Sequence, residues 1–377
     1  MSSSIQINLK YLKENFLKIR EVYPKHNILF MIKADAYGHG AHDILSFSFH
    51  ELGIREFGLA SLREALALRI QRPEIQADLY VFSDLSFDGG LLDDSSKDIY
   101  LNKRIIPVIS NIDDLSDFLK DPDYKFVPLC LKFNTGMNRL GISHTEVTEV
   151  INLLKSSNRK TIFHLMSHFA NGSLNLAKNN RGQTQIKRFA EIKEEILNSG
   201  LSIERSSMAN SGAIEQRIGL DDTHIRPGLM MFGPSSLIPK DKNISWFKGK
   251  IVSELQAKVI KTFEVNKGDP LGYGSVPCPD DGLIAIINLG YGDGISTKFH
   301  GIKFKIQGES AQVCAKVCMD MTYLLFSRNT KIRRGDTVSL WKDNPDFFEQ
   351  LSRNVGVIPY ELVINLTSRL PRVYKLD

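Results

Sequence analysis

The chain has 377 residues, of which 42% are hydrophobic, and this length exceeds one ordinary core and predicts two domains. Its 48 basic and 43 acidic residues are interspersed and leave a formal net charge of only +5. This balance argues against nucleic acid as a partner, because phosphate binding needs a concentrated basic surface.

From the start of the chain we expect no targeting signal. Residues 1–10 lack a basic segment followed by a long apolar stretch, and no later window approaches the length of a membrane span. We therefore expect a cytoplasmic protein without a membrane partner. The cysteines lack the paired spacing of a zinc site, so we expect buried free thiols and no metal. They are Cys130, Cys278, Cys314 and Cys318.

Up to about residue 240, short apolar runs alternate with amphipathic stretches, the rhythm of repeated strand–helix units and a parallel sheet. The candidate strands are 28–32, 57–60, 79–82, 105–109, 127–133, 162–167 and 225–232. Apolar residues at three- and four-residue spacing predict helices at 62–70, 112–119, 146–154 and 184–198. Roughly eight repeats in about 240 residues predict an α/β fold, a (β/α)8 TIM-like barrel whose reactive groups collect at the carboxyl ends of the strands.

A polar, proline-marked stretch at 234–242 predicts a domain boundary. Beyond it, short alternating strands separated by turn residues predict a mostly β C-terminal domain. The candidate strands there are 254–263, 283–288, 302–306, 312–316 and 337–341. We therefore expect a barrel over residues 1–240 and a β domain over residues 241–377.

Lys33 lies at the end of the first apolar strand of the barrel, directly before the glycine-punctuated segment 34–40. Burying an amine is costly unless it is deprotonated, paired or used covalently. One interpretation is a lysine that forms a Schiff base with a carbonyl compound, which a lowered pKa favours. The other is a strand-end lysine that reaches solvent, and this segment alone leaves both open.

Nine sequence blocks stand out along the chain. They are MIKADAYGHG (31–40), LKFNTGMNRLG (131–141), LMSHFA (165–170), ANS (209–211), RPGLMMFG (226–233), LGYGSVP (271–277), GYGDG (290–294), VCMD (317–320) and PYE (359–361). In this order they resemble the alanine racemase family over nearly the full length. The resemblance implies a pyridoxal-phosphate enzyme that interconverts L- and D-alanine and provides D-alanine for bacterial peptidoglycan.

The resemblance also implies residues for each part of pyridoxal phosphate, which needs an attached lysine, a phosphate site and a ring-nitrogen partner. Lys33 would carry the cofactor and act as the base on the D-alanine face. Arg226 resembles the family's ring-nitrogen partner and would leave that nitrogen unprotonated, because a guanidinium keeps its charge. The remaining contacts implied are the phosphate contacts of Tyr37, Ser211, Tyr360 and the amides around Gly228 and Leu229, and the packing of His168 on the ring.

Racemisation needs a base on each face of the substrate α-carbon, and Tyr273 resembles the family's base on the L-alanine face. In the family this tyrosine comes from the second subunit, so the resemblance implies a homodimer with shared active sites. Tyr291 also reaches across, as a substrate-channel residue. Arg139 and the backbone amide of Met319 match contacts to the substrate carboxylate. Lys132 matches a lysine that is carbamylated in many members, and a carbamate there would pair with the arginine.

Taken singly, the same residues permit structural roles. Tyr37 and Tyr360 fit packed aromatics with a satisfied hydroxyl, and Ser211 fits a helix N-cap. Arg226 fits a surface or salt-bridged arginine, and Tyr273 fits a packing residue next to a turn. Three other functions stay open: a broad-specificity amino-acid racemase, a non-catalytic pyridoxal-phosphate-binding barrel protein, and a decarboxylase of the same architecture.

Three positions depart from the family pattern. Asn134 stands where aspartate is usual, Ser207 where a histidine commonly supports the ring-nitrogen arginine, and Phe232 where tyrosine is usual. We expect Ser207 to matter most, because a shorter, neutral side chain positions Arg226 less tightly.

Overall fold

The computed structural model describes residues 3–83 and 94–376. The strands are β1 (Ser4–Asn8), β2 (Asn27–Met31), β3 (Glu56–Leu59), β4 (Asp78–Val81), β5 (Ile105–Ile109), β6 (Cys130–Asn134), β7 (Ile142–Ser143), β8 (Thr161–Met166), β9 (Ser202–Ser207), β10 (His224–Ile225), β11 (Ser253–Val265), β12 (Pro270–Leu271), β13 (Val276–Pro277), β14 (Gly282–Ile287), β15 (Lys303–Ile306), β16 (Glu309–Val313), β17 (Thr322–Phe326), β18 (Thr337–Trp341) and β19 (Arg372–Lys375).

The helical elements are α1 (Leu9–Val22), α2 (Lys33–Gly38), α3 (Ala41–Glu51), α4 (Leu62–Gln71), α5 (Asp94–Asn102), α6 (Ile112–Lys120), α7 (Val147–Ser156), α8 (Asn180–Asn198), α9 (Ser211–Gln216), α10 (Pro345–Val355) and α11 (Pro359–Ile364). Short 3-10 helices lie at Pro122–Phe126, Leu176–Lys178, Leu229–Phe232, Pro239–Ile244, Tyr291–Asp293 and Thr297–Phe299. Within the described ranges, no helix has the length and apolar character needed to cross a membrane.

Eight parallel strands form a nearly closed barrel, in the order β10-β2-β3-β4-β5-β6-β8-β9. A bridge between Asn210 and Arg226 joins the segments that follow β9 and β10, so the two ends of the sheet meet. This arrangement confirms the predicted TIM-like barrel. It also places the segments that follow the strands around one end of the barrel, where such folds carry their reactive groups.

Local sequence signals explain why the barrel elements form. Every residue of β5 is buried, as expected for a parallel strand covered on both faces. The helix after it, α6, begins where Asn111 Oδ1 accepts a hydrogen bond from the Asp114 amide at 2.7 Å, which satisfies a free amide of the first turn. Leu115 and Phe118 then form its buried face.

Two details of the barrel differ from the predictions. The sequence analysis missed β9, because Ser202–Ser207 contains one aliphatic residue and several polar ones. The strand expected over 225–232 was wrong for most of its length: the strand is only His224–Ile225, and Leu229–Phe232 forms a 3-10 helix. Pro227 and Gly228 separate the two, and proline cannot continue strand pairing.

The C-terminal part is a mostly β domain, as predicted, with sheet order β15-β16-β17-β14-β11-β1-β19 and β18 paired to β11. Its strands include β17, which was not predicted, and two helices, α10 and α11, follow β18. The first strand of the chain also belongs to this sheet: β1 pairs antiparallel with β11 and parallel with β19. The sequence carries no local signal of this pairing, since the partners lie far along the chain.

All four cysteines are free thiols. Cys130, Cys278 and Cys314 are buried, whereas Cys318 is half-buried. Burial raises the pKa of the Cys314 thiol to about 12, so this thiol stays protonated and unreactive near neutral pH.

Candidate active site

A cavity of about 550 Å³ opens at the carboxyl ends of the barrel strands, and we call it the barrel-end cavity. Nine of the predicted site residues line it: Lys33, Tyr37, Lys132, Arg139, His168, Ser211, Arg226, Gly228 and Tyr360. Leu229 lines a neighbouring cavity of about 590 Å³, which shares His168, Ser211 and Tyr360 with the first. The fold therefore gathers residues from β2 to α11 around one space.

The turn that follows β2 has an unusual backbone conformation. Residues 34–37 all have φ between 51 and 55°, so α2 is one turn of left-handed helix, which costs an L-residue about 1–2 kcal/mol. Hydrogen bonds from outside the turn stabilise it. The Ala34 amide donates to Glu64 Oε1 at 2.9 Å, and the Ala41 amide donates to Asp35 Oδ1 at 2.7 Å.

Glu64 is a supporting residue that the sequence analysis did not single out. Its second carboxylate oxygen accepts from the Ala60 amide at 2.7 Å, so one side chain joins the end of β3 to the turn after β2. The Glu64 amide in turn donates to Ser61 Oγ at 3.3 Å. The Ser-x-x-Glu spacing of a capping box was the available signal.

Cationic side chains dominate the barrel-end cavity. Lys33, Lys132, Arg139 and Arg226 line it, and among its described lining residues Glu361 is the acidic one. Burial, together with the charge of Arg139, lowers the pKa of Lys33, although Glu64 opposes this shift. The cavity is therefore suited to anionic groups such as a phosphate and a carboxylate.

Lys132 has the more strongly shifted pKa of the two lysines. Burial comes first among the causes, and the charges of Arg139, Arg226 and Lys33 add to it, so that the pKa of Lys132 falls to about 8. A buried lysine with a partly neutral amine near physiological pH is a potential nucleophile.

One end of the cavity has the features required to bind a phosphate. Ser211 Oγ accepts from the Gly228 amide at 2.9 Å. A Cβ on Gly228 would lie 2.4 Å from the Tyr37 hydroxyl oxygen, so only glycine leaves this space open. The rings of Tyr37 and Tyr360 lie 5.5 Å apart, and burial raises the pKa of both phenols, which keeps them protonated hydrogen-bond donors.

Arg226 lies deep in the site, with 4% of its surface exposed. Its two terminal nitrogens donate to Ser207 Oγ, to the carbonyl oxygens of Ser167 and Met208, and to His168 Nδ1 at 3.3 Å. Burial lowers the pKa of Arg226 to about 10, so the guanidinium stays protonated near neutral pH. Burial and the nearby cations lower the pKa of His168 well below its usual range, so this imidazole is neutral.

Comparison with known proteins agrees with this arrangement. The family model for the alanine racemase N-terminal domain matches residues 7–236, and the model for the C-terminal domain matches residues 252–374. The chain belongs to the alanine racemase family. Members of this family are isomerases, and the family depends on pyridoxal phosphate.

Curated relatives and solved structures support the same assignment. The alanine racemase of Coxiella burnetii (strain RSA 493 / Nine Mile phase I) is 30% identical over 97% of this chain and 96% of its own length. That of Aliivibrio salmonicida is 29% identical over 99% of both chains. The solved alanine racemase of Acinetobacter baumannii is 28% identical, with a TM-score of 0.80 and full coverage of both chains.

Two departures from the alanine racemase pattern have clear structural contacts. Asn134 Oδ1 accepts from the amides of Gly136 and Asn138, and its Nδ2 donates to Asn138 Oδ1 at 3.0 Å. It therefore shapes the turn that follows β6. The ring of Phe232 stacks on that of His39 at 4.3 Å, where a tyrosine would add a hydroxyl to a buried aromatic contact.

The residues predicted from the β domain lie outside both cavities of this single chain. Tyr273, Tyr291 and Met319 are 73%, 44% and 52% exposed. Tyr273 lies between Gly272 and Gly274, which have φ of 53° and 81°, in the turn that joins β12 to β13. These three side chains are presented to solvent.

Proposed function

We propose that this chain is an alanine racemase that interconverts L- and D-alanine with pyridoxal phosphate. The observation that carries the proposal is the barrel-end cavity, in which a lysine of lowered pKa, a glycine-lined anion pocket and a buried arginine come together. Family membership makes racemisation the first activity to test.

The residues present fit pyridoxal phosphate. Lys33 would hold it covalently, Tyr37, Ser211, Tyr360 and the amides around Gly228 and Leu229 would hold its phosphate, and Arg226 and His168 would contact its ring. When bound, the cofactor supplies an electron-withdrawing system that acidifies the substrate α-proton. The short Ser211–Gly228 contact and the space beside the Tyr37 hydroxyl support a phosphate there.

The chain's own groups would move the α-proton. Lys33 would accept or return it on the D-alanine face, a role that its lowered pKa favours because more of the amine is neutral near pH 7. Tyr273 would do the same on the L-alanine face. Arg139 and the Met319 backbone amide would hold the substrate carboxylate, and Tyr291 would line its entry path.

Lys132 would act on the neighbouring arginine. Only a neutral amine reacts with carbon dioxide, and the pKa of about 8 makes that form accessible. The resulting carbamate is an anion and would pair with Arg139 instead of repelling it. 13C NMR of protein incubated with 13C-bicarbonate tests this modification. We expect a carbamate signal in the wild type and none in Lys132→Met.

We infer a homodimer with shared active sites. A catalytic Tyr273 that is 73% exposed, outside the cavity that holds Lys33, needs a second copy to complete the constellation. The proposed division is a cofactor-binding barrel over residues 1–240 and a β domain over residues 241–377 that contributes Tyr273 and Met319 to the partner's site. A cytoplasmic location and the supply of D-alanine for peptidoglycan stay predictions.

The test is α-proton exchange. Purified protein with pyridoxal phosphate and L-alanine in heavy water should lose the α-proton signal by NMR and form D-alanine by chiral chromatography. Replacement of L-alanine by serine, lysine or arginine tests a broader racemase. Cofactor binding without exchange would favour a non-catalytic carrier, and loss of carbon dioxide would favour a decarboxylase.

A further inference from the structure

A group of polar side chains lies behind Arg226 inside the barrel, and the proposed reaction does not use it. Ser207, His164, Tyr80 and Glu56 come from β9, β8, β4 and β3. Ser207, His164 and Tyr80 have 0% exposure, and the side chain of Glu56 is 12% exposed. Polar groups in such a place must satisfy one another. We call these five residues the Arg226–Glu56 chain.

Consecutive members of the Arg226–Glu56 chain lie within hydrogen-bond distance. Arg226 Nη1 lies 2.5 Å from Ser207 Oγ, which lies 2.8 Å from His164 Nε2. His164 Nδ1 lies 3.4 Å from the Tyr80 hydroxyl oxygen, and this oxygen lies 3.0 Å from Glu56 Oε2. The chain therefore connects the guanidinium in the cavity to a carboxylate at the amino end of β3.

The two ends and the neutral state of His164 fix the direction of the hydrogen bonds. A guanidinium can only donate and an ionised carboxylate can only accept, so the Ser207 hydroxyl accepts from Arg226 and the Tyr80 hydroxyl donates its proton to Glu56. The Tyr80 oxygen, which also accepts from Arg205 at 3.1 Å, therefore accepts from His164 Nδ1. Because His164 is neutral, its Nε2 carries no proton and accepts from the Ser207 hydroxyl.

The surrounding charges favour these protonation states. Burial, then the charges of His224, Arg226 and Arg205, lower the pKa of His164 well below its usual range. Burial opposes the ionisation of Glu56, but the hydrogen bond and charge of His224 and the charge of Arg205 outweigh it and lower the pKa of Glu56. A neutral imidazole between a cation and an anion matches the direction of the bonds.

The backbone of β8 explains why the imidazole points into the barrel. The register of β8 with β9 is continuous and pairs His164 with Arg205. Because side chains alternate along a strand, His164, Arg205 and Ser207 lie on the same face of the sheet. The short side chain of Ser207 on β9 leaves space beside it, and the His164 imidazole from β8 fills this space. A longer side chain at position 207 would need the same space.

We propose that His164 is a positioning residue which, acting through Ser207, fixes the Arg226 guanidinium in the cofactor site. This inference rests on the proposed function, because that function assigns Arg226 to the ring nitrogen of pyridoxal phosphate. It revises the expectation that Ser207 holds the arginine weakly: the serine acts as the link, and the histidine behind it orients its hydroxyl.

The first experiment uses the cofactor-free full chain with 15N-labelled histidine. Among the signals of the nine histidines, those of His164 are assigned by their loss in His164→Gln. We expect a neutral ring protonated at Nδ1, and an Nε2 signal that shifts in Ser207→Ala because its donor is gone. Leu165→Ala is the control, since Leu165 is buried on the same strand but packs in the large core cluster, outside the chain, and should leave that signal in place.

The second experiment measures the dissociation constant of pyridoxal phosphate by absorbance titration. We expect His164→Ala and Ser207→Ala each to weaken binding about tenfold, and the double variant to be no weaker than either one, because both changes break the same chain. His164→Gln should recover most of the affinity, since its amide can accept from Ser207 and donate to Tyr80.

Three outcomes would overturn the inference. Two come from the NMR experiment: a His164 ring protonated at Nε2, or an Nε2 signal that Ser207→Ala does not move. The third comes from the titration: losses of cofactor affinity that add in the double variant or that appear equally in Leu165→Ala. A wild-type protein that racemises alanine, with variants that bind the cofactor as tightly, would remove the role of His164 and leave the proposed function intact. A wild-type protein that binds no pyridoxal phosphate would overturn the proposed function and, with it, the role of His164.

Discussion

At the scale of single residues, the barrel-end cavity concentrates positive charge that the one acidic residue among its described lining residues, Glu361, does not balance in full. Lys33, Lys132, Arg139 and Arg226 share one space, and each raises the cost of protonating the others. The lysines respond because their pKa values can fall, whereas the arginines keep their charge. The protonated Lys132 therefore lowers the folding stability of the cofactor-free protein by a measurable amount.

The pH dependence of stability should reveal that cost. In the folded state the pKa of Lys132 is about 8, below the value of about 10.4 for an unfolded lysine. Between these two values the unfolded state binds more protons, so stability rises with pH. In carbon-dioxide-free buffer, Lys132→Met should be more stable than the wild type by on the order of 2 kcal/mol at pH 7, and the gap should close towards pH 10.5.

Urea unfolding at several pH values measures this difference. The same series for Lys120→Met, an exposed lysine on α6, gives the behaviour of an ordinary lysine. A gap that stays constant with pH, or that widens as pH rises, would contradict the assigned shift.

The two proposed bases should be separable by substrate handedness. Tyr273→Phe removes the group assigned to the L-alanine face, so α-proton exchange from L-alanine should fall by about 10²-fold or more, and exchange from D-alanine should fall far less. NMR in heavy water with each enantiomer measures both rates. Equal losses from the two enantiomers would remove the two-base assignment.

At this scale the sequence predicted the cavity well but not its supports. Lys33 was recognisable because a lysine ends an apolar strand, and the family blocks located the other lining residues. Glu64 was not singled out despite its capping-box spacing, because its contact with the turn after β2 is made only in the fold. His164 was not found because its contact with Ser207 joins two different strands. The sequence also did not predict that the Tyr273 side chain is exposed, because exposure depends on the fold.

At the scale of elements, the left-handed turn α2 is the most strained segment near the site. Four consecutive non-glycine residues at positive φ persist because the turn is hydrogen-bonded to the Glu64 carboxylate and, through the Asp35 side chain, to the Ala41 amide. Such strain is kept where the surrounding structure fixes the conformation. In this protein the left-handed conformation allows Lys33 and Tyr37, four residues apart, to line the same cavity.

An alanine-to-glycine substitution should therefore change the folding stability in opposite directions in the left-handed turn α2 and in a right-handed helix. Ala34→Gly should stabilise the protein by about 0.5–1 kcal/mol, since glycine adopts positive φ without steric cost. Ala67→Gly, in the right-handed helix α4, should destabilise it by about 1 kcal/mol. Chemical denaturation of both variants gives the signs, and destabilisation by Ala34→Gly would show that the turn is not left-handed in solution.

Sequence patterns located most elements and failed where the signal was not local. β5 and β18 were predicted to the residue, because apolar runs bounded by polar turns mark them. β9 was missed because it consists mostly of serines and charged residues. One of these polar residues, Ser207 at the end of the strand, contacts Arg226.

At the scale of the whole molecule, the proposed dimer predicts complementation. Lys33→Ala and Tyr273→Phe each disable one half of a shared site, so a mixed dimer would contain one intact site. Equal mixing with subunit exchange should restore about a quarter of the wild-type activity. A mixture of Lys33→Ala with the double variant Lys33→Ala/Tyr273→Phe has no intact site and is the control. No recovery, once exchange is demonstrated by mass labels, would place both bases in one chain.

The two-domain architecture was predictable from length and from the change of texture near residue 240. The membership of β1 in the second sheet was not, because pattern rules read neighbouring residues and this strand finds its partners in β11 and β19. Only the complete fold shows that Ser4–Asn8 and the C-terminal domain form one sheet.

This pairing has a consequence for synthesis. Ile5 and Ile7, which are fully buried in the finished protein, leave the ribosome before the strands that cover them exist. Their partner strand β11 emerges only after the barrel, and their second partner β19 later still, so the barrel can form early while the second sheet closes last. A translation stall late in the message should therefore leave an aggregation-prone nascent chain, even though nearly all of the proposed cofactor pocket has already been made.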